Sequence, residues 1–134
     1  MEEIFFNNKL FALILRREFK SEGIKFFTPN SFSQQLAYMN RPKNYNIQPH
    51  FHNEVERKVL FTQEVLLIKS GALYVDFYDE NQELLDTSIL KEGDVILLAH
   101  GGHGFRMIED TEIIEVKQGP YSGEMDKTRF SPNR

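Results

Sequence analysis

The sequence contains no cysteine and no tryptophan, and only four of its 134 residues are histidine. Without cysteine there is no disulfide framework, no thiolate zinc site and no cysteine nucleophile. That usage fits a reducing compartment, and a cytoplasmic location is the expectation. Basic charge is not in surplus either. Sixteen Lys and Arg stand against twenty Asp and Glu, with no basic run of five, so nothing favours a nucleic-acid partner. Long apolar runs are missing. The longest, "LFALIL" at 10–15, falls far short of the ~20 residues that cross a bilayer. The opening "MEEIFFNNK" is acidic and lacks the basic region and apolar stretch of a signal peptide, so no membrane partner is expected.

What is present reads as one domain over 1–134 with an ordinary apolar content for a soluble chain. "LFALILR" reads as a buried strand, and "GIKFFTP" as a strand stopped by Pro29. A strand through "QQLAYMN" and a turn at "RPKNYN" follow. "VLFTQEVLLIKSG" is a long extended stretch ending at Gly71. "ALYVDFYD" alternates, with Leu73, Val75 and Phe77 on one face and Tyr74, Asp76 and Tyr78 on the other. "DENQ" and "KEGD" are turn material around the return strand "ELLDTSIL". "VILLA", "HGFRMIED" and "TEIIEVKQG" complete a set of about eight strands, the pattern of an antiparallel sandwich or barrel. The polar stretch "GPYSGEMDKTRFSPNR" either drapes over the sheet or is disordered at its end.

All four histidines fall in two short stretches, "QPHFHNE" and "AHGGHGF". Read as a strand, the first sends His50 and His52 to one face, where two imidazoles can take adjacent positions on one metal ion. By itself such a pair is more simply two surface histidines. It is followed, however, by Glu64 seven residues before Gly71, and then by His103 beyond the turn glycine Gly93 and a buried strand.

On those residues the stretch 48–118 resembles the cupin family. The resemblance implies an all-β double-stranded β-helix, a jelly-roll barrel with a core over about 34–118, strands within 3–28 before it and a tail over 119–134. It also implies a metal site of His50, His52, Glu64 and His103. Two features depart from the family pattern. The family leaves a short gap between the second histidine and the glutamate, and here that gap is the eleven residues "NEVERKVLFTQ". Counting forward from His52 selects Glu56, and counting back from Gly71 selects Glu64. Glu64 is preferred for the apolar pattern of "EVLLIKSGAL", which makes the insertion an extended hairpin at the barrel mouth. Ala99 and His100 stand where the family has proline and glycine. His100 is therefore a fifth ligand, a donor to a ligand or a substrate contact, or else an exposed loop histidine.

A nitrogen and oxygen donor set suits one divalent ion, Fe, Mn, Ni or Zn, and argues against Cu(I). The resemblance, to small cupins of carbohydrate and surface-polysaccharide biosynthesis, implies a metal-dependent isomerase or epimerase of a sugar, sugar phosphate or nucleotide sugar. Glu56 and His100 are the candidate proton-transfer groups, Glu54 and Glu56 otherwise being a solvated hairpin. A non-catalytic carbohydrate-binding or sensing module is the alternative, and an Fe(II) dioxygenase a second one. Tyr38, Tyr45, Tyr74 and Tyr78 are candidates to line a sugar pocket, against an outer sheet surface or dimer contact. Finally, "LFALILRREF" is apolar on both strand faces, Leu10, Ala12 and Ile14 against Phe11, Leu13 and Leu15. Such a strand needs cover on both sides. A homodimer, by packing or by exchange of this strand, is the expectation, the other source of cover being "SFSQQLAYM".

Overall fold

The computed structural model describes residues 1–132. Among them the regular structure is antiparallel β, apart from one 3-10 turn at Gly123–Asp126. The strands are β1 Glu2–Phe6, β2 Lys9–Leu15, β3 Gly23–Phe26, β4 Ala37–Asn40 and β5 Glu64–Ser70. They continue with β6 Ala72–Tyr78, β7 Leu84–Lys91, β8 Val95–Leu98, β9 Gly102–Met107 and β10 Glu112–Lys117. A five-stranded sheet runs in the order β1-β2-β8-β5-β10, a three-stranded sheet in the order β7-β6-β9, and β3 and β4 pair only with each other.

Turn chemistry sets these pairings. Asn7 and Asn8 join β1 to β2 with φ of 50° and 62°. Asparagine tolerates that left-handed backbone, which matches the twist of a tight hairpin. This pair also marks β1, the one of the ten described strands that the sequence reading did not name. Between β5 and β6, Gly71 has φ of 89°, and a Cβ there would sit 2.3 Å from the Asp110 carbonyl oxygen. Only glycine fits both constraints. In the turn before β8, the carboxylate of Asp94 accepts from the backbone N–H of Lys91 at 2.8 Å and of Arg17 at 2.9 Å.

The alternation in β6 does what its sequence requires. Leu73, Val75 and Phe77 are buried in one cluster with Phe11 and Ile14 of β2, Leu66 and Ile68 of β5, and Ile96 and Leu98 of β8. The inner faces of the five-stranded and three-stranded sheets thus share one core. The other face of β6 is covered as well at Asp76 and Tyr78, while Tyr74 is half-buried, so of the alternatives weighed for this face a bare outer surface does not hold. Tyr78 is 2% exposed and packs edge-on against Phe130 at 5.2 Å, so the C-terminal stretch does lie over this sheet. Asp76 is fully buried and receives two bonds from Arg106, at 2.7 and 2.9 Å, and one from Thr87 at 2.7 Å.

Both faces of β2 are also covered inside one chain. Leu13, opposite Leu97 of β8, is fully buried on the side away from the core cluster. This strand therefore supplies no reason for a second copy.

One part of the chain does not join the sandwich. Residues 39–62 are exposed throughout, and from 41 to 62 they form no strand. The root of this arm is held by Gln63, whose side-chain oxygen accepts from the backbone N–H of Gln34 at 3.1 Å and whose carbonyl accepts from Gln118 at 3.1 Å. The expected turn at 42–45 is present, closed by the Tyr45 N–H on the Pro42 carbonyl at 3.1 Å. The expected extended hairpin through 53–63 is not. A hairpin needs two paired strands, and this stretch has no ladder partner among the described residues.

Candidate functional site

Glu64 opens β5 and shares its inner face with Leu66 and Ile68. His103 lies in β9 directly opposite Phe77 of β6, so it too points inward, with Phe105 two residues on. The two side chains meet across the space between the sheets. Nε2 of His103 is 2.8 Å from Oε1 of Glu64, with side-chain exposures of 30% and 12%. The pair borders an open cavity of about 960 Å³ whose wall also includes His100, Tyr78, Phe130 and Lys117.

Register places further charge beside the pair. In β10, Glu115 lies opposite Leu66 and Lys117 opposite Glu64, on the same inner face. The His103 hydrogen bond, assisted by one from Glu115 and opposed by burial, holds the Glu64 carboxyl down at about 2. Glu115 is pushed the other way, above the ordinary carboxylate range, because it bonds to Glu64 and sits beside its charge. Sequence reading missed Glu115 and Lys117. The signal was available: alternation in "EIIEVK" places Ile113, Glu115 and Lys117 on one face, with a polar end to an otherwise inward side.

The other candidates are scattered. His50 and His52 lie in the exposed arm, away from the cavity wall. Their stretch is not a strand, which corrects the reading of "QPHFHNE". The rings nevertheless lie on one side, with centroids 5.2 Å apart, and His50 Nδ1 is 2.9 Å from the Gln48 carbonyl. Glu56 is exposed in the same arm, and of the two carboxylates only Glu64 has a histidine beside it. His100 sits edge-on to Phe11 at 5.3 Å on the cavity wall. Of the tyrosines only Tyr78 borders the cavity. Tyr38 packs on Phe19 at 5.0 Å, Tyr45 lies under Arg41, and Tyr74 under the Arg106 guanidinium at 4.5 Å.

Among the described residues, no three His, Asp or Glu side chains gather into a group that can hold a metal ion. Within one chain the expected four donors fall into two pairs, Glu64 with His103 and His50 with His52. Two donors do not make a site of the usual four-coordinate kind. Compared with family models, curated proteins and solved structures, the chain matches none. No helix among the described residues is long and apolar enough to cross a membrane.

Proposed function

We propose that the chain is a small cupin, a double-stranded β-helix that holds one divalent metal ion, Zn, Fe, Mn or Ni, and converts a sugar, sugar phosphate or nucleotide sugar by proton transfer. The observation that carries this reading is the Glu64–His103 pair at the wall of a cavity of about 960 Å³. That volume lies at the large end of small-molecule pockets and holds a sugar with substituents. The order of the sequence motifs supports it as well, since Glu64 and His103 are the two residues that the cupin pattern selects from the glutamates and histidines of 64–103.

The chain's own residues account for binding and proton movement. Phe130, half-buried on the cavity wall, offers an apolar ring to a sugar. Lys117 supplies a cation for a phosphate or carboxylate group. Isomerisation needs a base that removes the proton next to a carbonyl and an acid that returns one to the neighbouring carbon. Glu115, which retains its proton above the usual range, and His100 border the cavity and fit those roles. Glu56, in the arm, does not border it.

The test is exchange of a substrate C–H proton with deuterium, read by NMR over a panel of nucleotide sugars and sugar phosphates. Exchange that falls with Glu115→Gln or His100→Asn supports the enzyme reading. Saturable binding without exchange favours a carbohydrate-binding module. Neither binding nor exchange across the panel refutes both.

A further inference from the structure

We infer that the arm of one copy lies along β9 of a second copy, so that His50 and His52 of one chain join Glu64 and His103 of the other. This rests on the metal reading above and says where the missing two donors come from.

The arm is built for a surface that its own chain does not offer. It runs 22 residues, 41–62, without a strand or a buried side chain. Structureless connections longer than about 12–15 residues are uncommon inside a domain unless they serve a function or are disordered. Its sequence alternates as a strand does. Ile47, Phe51 and Val55 fall on one face, and Gln48, His50, His52, Glu54 and Glu56 on the other. The apolar face is wasted in the single chain, where Phe51 is 95% exposed and Ile47 and Val55 are 55% and 60% exposed. The hairpin β3-β4 that carries the arm forms a separate two-stranded sheet, a unit that is marginal in water without further cover.

The receiving edge has the complementary features. Among the described residues β9 pairs on one side only, with β6, and is the edge of its sheet. A strand laid along its other side would sit about 4.8 Å away, with opposite side chains about 4.5–5.5 Å apart. On the inner face of β9 those side chains are His103 and Phe105. An added strand presenting its polar face inward would bring two alternate histidines beside His103 and Glu64. On the outer face Gly102 and Gly104 of β9 are covered by the Tyr78 and Phe130 rings, and the Phe51 ring of an added strand would pack at the rim of that aromatic pair. An extended 22-residue arm reaches as far as about 70 Å, ample for a neighbouring molecule. The arm is also basic, with Arg41, Lys43, Arg57 and Lys58 against Glu54 and Glu56, in a chain of net charge −4. Its attraction to a second copy's acidic body is therefore favourable.

Two full-length variants test the exchange. One carries His50→Ala and His52→Ala, and the other Glu64→Gln and His103→Ala. Each is expected to bind no Mn(II) or Zn(II). Co-expressed with different tags and purified through both, the mixed dimer is expected to regain about half of the wild-type metal content per chain. One of its two sites then has all four donors, drawn from different chains. If wild type binds metal and the mixed dimer does not, the exchange is refuted. If wild type binds no metal, the metal reading fails, and the exchange is decided by cross-linking in this cysteine-free chain. A mixture of Asn53→Cys and Met107→Cys proteins, Met107 being the exposed last residue of β9, treated with a short bismaleimide is expected to give a product of twice the 15.8 kDa chain mass, beyond what either protein gives alone. No such product refutes the exchange.

Discussion

The imidazole of His103 and the carboxylate of Glu64 stand 2.8 Å apart, although 38 positions separate them in the chain and they belong to different sheets. Their meeting closes one end of the shared core and brings a nitrogen and an oxygen donor together at a cavity wall.

If that pair is half of a metal site, Glu64→Gln must weaken metal binding far more than Glu56→Gln. Loss of even a supporting group commonly costs roughly 10–100-fold in affinity, so at least that is expected for Glu64. Glu56→Gln should leave affinity within a few-fold of wild type. Isothermal titration of the metal-free proteins reads both.

Arg106→Met should lower the melting temperature clearly, because it strips the fully buried Asp76 of a two-pronged partner. Arg129→Met breaks an exposed pair with Glu124 and should change the melting temperature little. Differential scanning calorimetry distinguishes the two.

Gly71→Ala combines a left-handed backbone with a Cβ only 2.3 Å from the Asp110 carbonyl oxygen. A loss of at least about 1–3 kcal/mol is expected in urea unfolding. Gly119→Ala has nothing within 4 Å of the added carbon and no such backbone conformation, and should be close to neutral.

The pH response at the N-terminus follows from Glu2. Its carboxyl is held below the ordinary value of 4.5 chiefly by hydrogen bonding to Arg16. A depressed carboxylate stabilises above its ordinary range and loses that contribution as pH falls toward its folded value. The pair is largely exposed, so the effect should stay within about 1 kcal/mol. Urea unfolding from pH 6 to pH 3 should fall slightly less for Glu2→Gln than for wild type.

The strands were legible wherever alternation and turn residues coincided. Gly71 and Gly93 bracket β6 and β7, and the hydrophobic alternation of β6 leaves one choice of inner face. β1 was hidden because "EEIFF" is short and acidic, and only Asn7–Asn8 after it signals a hairpin. The buried outer face of β6 was illegible for another reason: its cover comes from Phe130 and Arg106, remote in sequence. Glu64 could be chosen over Glu56 by its distance from Gly71. The arm could not be read, because His-x-His with alternating neighbours looks the same whether its ladder partner lies in its own chain or in another.

The most direct measurement is metal content, by plasma emission spectroscopy, after purification without chelator and reloading with Mn(II), Fe(II), Ni(II) and Zn(II) in turn. About one ion per chain is expected for at least one metal, with loss in Glu64→Gln and His103→Ala proteins that remain folded. A wild-type chain that retains none of the four would contradict the account.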